Sequence, residues 1–311
     1  MELVDGPWFD DLAVGDRFAG APGVTLTSGL AAAHQAVLGD RLRLPLDEPL
    51  ARAVTGSAPL AHPALVWDVA IGQSTVVTRQ VRANLFYRGL AFHRFPVVGD
   101  TVRTVTEVVG LKENTRRPDR APTGLAALRI TTVDQEDRAV LDFWRCAMLP
   151  LRSTEPTGRR DDLSTVGAEV APAVPDWDLA AFRARVPGEH VEAMTVGRKW
   201  RVPGGDVVSN APELARLTVN IAAVHHFGDP RLVYGGHTIG LALAQVCRAI
   251  PNIVTVVSWA GCDHVGPVHE GDSLTSEVEV LAVDGGLVTL RSTVDNAAGP
   301  VLDWRFTVVM A

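Results

Sequence analysis

VLDFWRCAML at residues 140–149 and VLDWRFTVVM at 301–310 are two versions of one segment, and their relation decides how this 311-residue chain is organised. Working upstream from each copy, LAALR at 125–129 matches LVTLR at 287–291. GDTVRTVTEVV at 99–109 matches GDSLTSEVEVL at 271–281, each after a proline, Pro96 or Pro267. LAHPALVWDVAIGQ at 60–73 aligns with LVYGGHTIGLALAQ at 232–245, and LAVGDRF at 12–18 with MTVGRKW at 194–200. Alternating strands resemble one another by chance once or twice, but not five times in one order, so the chain reads as an internal duplication. The expected organisation is a first unit over 1–151, a linker over 152–190 with Pro156, Pro172, Pro175, Pro187 and an RRDD run, and a second unit over 191–311.

Each copy carries helical patterns first and about four strands after. In the first, Thr27 is placed to cap a helix with Leu30, Ala33, Val37 and Leu38 on one face. A second helix runs from about Pro63 to Gln73, with proline in its first turn. In the second copy, Ser209 or Asn210 caps a helix whose apolar stripe is Leu214, Leu217, Ile221 and Val224. Another follows Gly235-Gly236 and stops before Pro251, and the linker holds one short helix at 179–185. Val102, Thr104, Thr106 and Val108 alternate with Arg103, Val105 and Glu107, as Leu274, Ser276, Val278 and Val280 do in the other copy. Helices followed by a run of strands imply antiparallel sheets with helices on one face, an α+β class. Two such sheets can pair edge to edge.

Composition narrows the function. Apolar residues make up 47% and charged residues 21%, and 29 Lys+Arg against 36 Asp+Glu leave a net charge of −7. An acidic balance argues against nucleic-acid binding by phosphate neutralisation. No apolar run approaches the ~20 residues of a membrane span, and the N-terminus lacks the basic and apolar regions of a signal peptide. A cytoplasmic, soluble protein is expected. Cys146, Cys247 and Cys262 show no CxxC spacing, so neither a disulfide framework nor a thiolate metal site is indicated. No GxGxxG follows a strand, so no redox cofactor is implied.

The polar groups concentrate in LARLTVNIAAVHHFGDPRLVYGGH, residues 214–237. A histidine titrates near neutrality and can exchange a proton with water. An Asn amide can hold a water or a carbonyl, and backbone N–H groups opening a helix suit an oxygen that gains charge. Asn220 and His225 are five residues apart, and on a continuous helix they would stand about 140° apart. His226 therefore remains an alternative to His225. Cys262-Asp263-His264 ends a strand pattern; adjacent side chains there point to opposite faces, so either Asp263 or His264 could line a cleft.

NIAAVHHF at 220–227 and LVYGGHT at 232–238 resemble the motif of the MaoC-like (R)-specific enoyl-CoA hydratases and dehydratases. Further segments, NLFYRG at 84–89 and DFWRCAMLPLR at 142–152, look like the two-domain mesaconyl-CoA hydratase (β-methylmalyl-CoA dehydratase) group. The resemblance covers roughly residues 8–150 and 190–311. It implies a double hotdog fold, each antiparallel sheet wrapping a long helix. It also implies reversible hydration of a 2-enoyl thioester, with a branched dicarboxylic acyl-CoA such as mesaconyl-CoA as substrate. His225 would then be the base, Asn220 would orient water, and Gly235, Gly236 and His237 would hold the thioester oxygen.

In the first copy LGDRLRLPLD at 38–47 places Asp40 at the acid position, Pro45 where histidine would stand, and Asp47 beyond. Neither copy holds a complete Asp/His pair, and Asp40 reads equally as a cap or ion-pair partner. Coenzyme A would enter only as part of the substrate, or a carrier protein in its place. Its phosphates would meet Lys112, Arg116, Arg117 and Arg120, unless that loop is simply solvated, and a substrate carboxylate would need Arg88, Arg94 or Arg216. No metal is implied, and a homodimer is compatible with the paired arrangement. The competing readings are a hotdog thioesterase and a non-catalytic acyl-thioester binder.

Overall fold

The duplicated segments become the two halves of one continuous antiparallel sheet. The computed structural model describes residues 4–57, 59–167 and 174–311, so part of the expected linker, 168–173, lies outside the described residues. The first half runs β1 (Arg17–Phe18), β2 (Val24–Thr25), α1 (Ser28–Leu38), α2 (Arg43–Leu46), α3 (Glu48–Thr55), α4 (Pro63–Gln73), β3 (Ala83–Phe92), β4 (Thr101–Glu113), β5 (Thr123–Val133) and β6 (Ala139–Pro150). After α5 (Leu179–Arg185) come β7 (Lys199–Val207), α6 (Ala211–Leu217), α7 (Gly235–Ala249), β8 (Ile253–His264), β9 (Ser273–Asp284), β10 (Leu287–Asn296) and β11 (Gly299–Met310). None of the described helices is long and apolar enough to cross a membrane.

Strand order is β1-β4-β5-β6-β3-β8-β11-β10-β9-β7, with β2 on β4. The order is the same read outward from the middle, which is the duplication expressed in space. The halves join through antiparallel β3 and β8, with Tyr87 opposite Cys262 and Leu90 opposite Trp259. That pairing removes one sheet edge from each half. The α+β class and the double hotdog arrangement are as the sequence implied.

The helices α4 and α7 lie inside the curved sheet. Every residue of α4 is buried, so it shows no amphipathic stripe. Trp67 of α4 packs against Trp259 and Trp304 with ring centroids 4.8 and 6.3 Å away, pinning the helix to the strands that flank the junction. The strand alternation is as expected: Val102, Thr104, Thr106 and Val108 are buried, as are Leu274, Ser276, Val278 and Val280.

Two helical expectations change. Thr27 does cap α1, its Oγ1 accepting the Leu30 N–H at 3.1 Å, but Ala33 is exposed and His34 takes the buried position beside Leu38. The second-copy helix stops at Leu217, with Asn210 preceding it without a side-chain cap bond. Ile221 is exposed and the expected four-residue stripe is not formed. The interruption lies at Val219, whose φ of 54° is left-handed and cannot continue a right-handed helix.

Candidate active site

That interruption is what builds the site. The Thr218 hydroxyl bonds back to the Leu214 carbonyl at 2.9 Å, and the Ile221 N–H is taken by Thr75 Oγ1 of the first half at 2.9 Å. Gly72, at the end of α4, permits the crossing: a Cβ there would sit 1.8 Å from the Thr218 carbonyl oxygen. The chain then turns through Ala223–His225 as a short 3₁₀ segment rather than an α-helix. With the helix broken, the 140° separation no longer applies, and Asn220 and His225 line the same cavity of about 380 Å³.

The cavity lies between the halves. Ile71 of α4, with Thr75 and Thr78 in the turn just after it, faces Gly235 and Thr238 from the start of α7, with Tyr87, Arg145 and His264 from the sheet. His225 donates from Nδ1 to the Leu232 carbonyl at 3.1 Å, which leaves the Nε2 lone pair free. Burial pushes its pKa down to about 4, so the ring is a neutral base at neutral pH. His226 instead donates to the Asn220 carbonyl at 2.7 Å and is absent from the cavity wall. Asn220 is buried, and its Oδ1 accepts the Ala222 N–H at 2.9 Å. Its carboxamide N–H groups are therefore the part of the side chain suited to a ligand. Among the described residues no aspartate or glutamate lines this cavity.

Of the three residues expected to hold the thioester oxygen, only Gly235 reaches the cavity wall. Gly236 instead faces the interior, where a Cβ would meet Asp68 Oδ1 at 2.2 Å. His237 is wholly buried outside the cavity, and its amide bonds to the Tyr234 carbonyl at 2.9 Å. For His237 this is a correction, because its amide is taken; the first-turn amides of Gly235 and Gly236 both point along the helix axis, whatever side their α-carbons face.

Asp40 is another correction. It is buried outside the cavity and bonds His34 Nδ1 at 2.6 Å; His34 Nε2 bonds Asp68 at 3.1 Å, and Asp68 accepts from the Tyr234 hydroxyl at 3.1 Å. Burial alone would lower the His34 pKa, but Asp40 and Asp68 raise it to about 9, so it is a cation between two carboxyls. Burial resists ionisation of Asp40, yet its histidine neighbours hold its carboxyl below the usual range. His34, Asp40 and His62 lie close enough to suggest a metal cluster. However, both His34 nitrogens are bonded, and His62 Nδ1 accepts the Ala64 N–H at 3.1 Å. The lone pairs a cation would need from these atoms are in use.

Asp40 also borders a second recess of about 320 Å³, with Arg41, Cys247 and Pro251. Under the repeat alignment Arg41 corresponds to Ile221 and Cys247 to Thr75, so this is the other copy's counterpart of the cavity. It has no histidine: α2 covers the place, and Asp47 serves as the cap of α3, accepting the Leu50 N–H at 3.0 Å.

The expected carboxylate anchors are already occupied. Arg88 pairs with Asp263 at 2.5 Å, Arg94 with Asp100 and Asp134 at 3.1 and 2.7 Å, and Arg216 with Glu213 at 3.3 Å. Sequence reasoning missed Arg145. It is buried, donates to the Ser74 carbonyl at 3.1 Å and Thr78 Oγ1 at 2.8 Å, and leaves Nε without a partner. Among the described residues no carboxylate comes within ion-pair distance of it. The basic loop forms its own recess of about 470 Å³ with Arg116, Arg117 and Arg120, although Arg116 is tied to Glu113 at 2.7 Å. Lys112 is exposed and not in its wall. This recess adjoins the cavity, since Arg82 of the cavity wall bonds the carbonyl of Met148 in the recess wall at 2.8 Å.

A solved structure of a conserved hypothetical protein from Mycobacterium tuberculosis, described as having a double hotdog fold, is 56% identical over the whole of both chains, with a TM-score of 0.93. Two curated relatives are each 27% identical: a β-methylmalyl-CoA dehydratase of Chloroflexus aurantiacus, aligned over 89% of this chain and 82% of its own, and a mesaconyl-CoA hydratase of Cereibacter sphaeroides, over 94% and 89%. The chain belongs to the same double hotdog family as that mycobacterial protein. No family model matches the sequence. A structure named as a putative MaoC domain protein dehydratase from Chloroflexus aurantiacus, 24% identical over all of this chain and 99% of its own with a TM-score of 0.87, shows the same fold.

Proposed function

We propose that this MaoC-like protein is a hydro-lyase that adds water reversibly across a 2-enoyl thioester, with coenzyme A entering as part of the substrate. The observation that carries the reading is His225: its Nδ1–H is fixed on a carbonyl, leaving Nε2 as the free nitrogen, and the residue lines a cavity shared with Asn220 and the start of α7. In hydration His225 takes a proton from water as the oxygen bonds to Cβ. The alkene electrons move onto Cα and the thioester carbonyl, and the protonated His225 returns its proton to Cα, so one H and one OH are added and the base is regenerated. In dehydration the neutral His225 takes the Cα proton and then gives it to the leaving hydroxyl, which departs as water. Asn220 positions the water, and the Gly235 N–H, at the first position of α7 where the helix offers no partner, stabilises the enolate oxygen.

The acyl group we propose is a branched dicarboxylic one such as the mesaconyl group. A buried guanidinium without an anion is costly, and a substrate carboxylate would complete Arg145. The names of the curated relatives support the same choice. Arg117 and Arg120, with Arg82 between them and the cavity, would meet the phosphates of coenzyme A, or of a carrier's phosphopantetheine arm. A thioesterase reading is less favoured, because among the described residues no carboxylate stands in the cavity wall to activate its water.

The test is the absorbance of mesaconyl-CoA and crotonyl-CoA with wild type and His225→Ala, with free thiol assayed alongside. Loss of enoyl absorbance without thiol release, reduced in the variant by at least about 10²-fold, is expected. The wild-type kcat/KM should stay level as pH falls from 7 to 5 and bend only near 4, where the base is protonated. Thiol release would make the protein a thioesterase, and no turnover with tight binding would make it a binder.

A further inference from the structure

A second histidine stands in the cavity wall that the family motif does not account for. His264 is the last residue of β8, and its Nε2 is buried without a hydrogen-bond partner. It lies against Gly235: a Cβ built on that glycine would meet His264 Nε2 at 2.7 Å and the Tyr87 hydroxyl at 3.5 Å. Only glycine lets this ring approach the opening of α7 so closely. Tyr87 holds the ring edge-on, with centroids 5.8 Å apart and an interplanar angle of 72°. Its neighbour Asp263 points to the other face of the strand and is engaged by Arg88.

We propose that His264 is a second oxyanion donor, its Nε2–H acting with the Gly235 amide on the thioester carbonyl oxygen. This rests on the hydratase reading and deepens it. Where Asn220 stands at the family's carboxylate position, no acid among the described residues lines the cavity to share the developing charge, and an imidazole donor over the helix N-terminus supplies that stabilisation without transferring a proton. Burial keeps the ring neutral, lowering its pKa to about 4, so it is a donor through one nitrogen rather than a cation that would repel the protonated His225. A fixed donor of this kind is worth about 10²- to 10³-fold in kcat.

The experiment compares wild type with His264→Phe and His264→Ala, which remove the donor, and His264→Gln, which restores an N–H. Each is first shown to melt cooperatively. Turnover of crotonyl-CoA and mesaconyl-CoA is measured beside the absorption of bound 4-(dimethylamino)cinnamoyl-CoA, a chromophore that moves to longer wavelength as its carbonyl is polarised. The expected result is a red shift in wild type that Phe and Ala lose while still binding. Their kcat should fall about 10²-fold or more with KM within about threefold, and Gln should recover part of both. A full red shift and near-normal kcat in Phe and Ala would overturn the proposal and leave the hydratase reading intact. A wild-type shift that Phe loses, without turnover of either substrate, would uphold the carbonyl contact and sink the hydratase reading. A wild type that neither shifts the chromophore nor hydrates would sink both.

Discussion

Arg145 shows at the scale of one residue what the repeat contained and a motif search passed over. In the alignment of 140–149 with 301–310, Phe143 corresponds to Trp304 and Arg145 to Phe306. Phe143, Arg145, Ala147 and Leu149 are all buried on the inward face of β6, as Trp304, Phe306 and Val308 are on β11. A cation at an inward position, where the other copy has a buried aromatic, was therefore a legible signal. It was missed because Arg88, Arg94 and Arg216 were weighed as charges without the parity of their strands or their acidic neighbours. Replacing Arg145 with Met should lower kcat/KM for mesaconyl-CoA by about 10²- to 10³-fold, the cost of about 2–5 kcal/mol for removing one partner of a buried charge pair. The rate on crotonyl-CoA, which has no second carboxylate, should change far less. The melting temperature should hold or rise, since an uncompensated buried charge is removed. Equal losses on both substrates would show that Arg145 supports the cavity wall and does not read the acyl group.

Among the elements, the long helices and strands were legible because burial imposes their periods. The terminal residues of α4 were read within the sequence from Pro63 and Gln73. The segment from Thr218 to His225 was not, because its conformation comes from a tertiary contact. Nothing in LTVNIAAVHH marks a helix stop, and the break depends on Thr75 and Gly72 of the other half. The site is thus assembled between the copies, with the base on one and the hydroxyl that shapes its loop on the other. Gly72→Ala tests this dependence. Its Cβ would overlap the Thr218 carbonyl and has only backbone to displace, so either α4 or the Asn220 loop must move. We expect destabilisation of about 1–3 kcal/mol, as for overpacking elsewhere, and a fall in kcat larger than that of a stability-matched core variant remote from the cavity. Thermal melting and turnover of the same preparations measure both. Unchanged turnover in a destabilised Gly72→Ala protein would show that the loop holds its geometry without α4.

Across the whole molecule, the two copies differ: one cavity is lined by histidines and its counterpart is not, and Asp40 beside that counterpart belongs to a buried ionic cluster. Asp40, at the motif's acid position, bonds His34, which bonds Asp68, which accepts from Tyr234 at the head of α7. The interior therefore holds histidines of opposite character, and the sign of each sets how stability depends on pH. Burial lowers His62 and His237 to about 4, and their unfolded value is near 6.5. Between those limits the unfolded chain binds protons that the folded chain does not, so stability falls as pH drops below about 6.5. Each fully buried histidine contributes a slope of up to about 1.4 kcal/mol per pH unit, and His225 and His264 in the cavity act in the same direction. His34, raised to about 9, has the opposite sign. Its contribution is complete below its unfolded value and is lost as pH rises through 9. Stability should be greatest near pH 6.5–7 and decline on both sides, as melting temperatures from pH 5 to pH 9.5 would record. His237→Leu should shallow the acid side only, because it removes a group that is neutral in the fold and bonded to nothing through either ring nitrogen. His34→Gln should lower the maximum and flatten the alkaline side, because Asp40 and Asp68 would then face each other without the cation between them. A melting temperature level from pH 6.5 to 5 would mean that the buried histidines take up protons in the folded state. The cluster would then be an open, hydrated network, and Tyr234 would not be held by a fixed ionic chain.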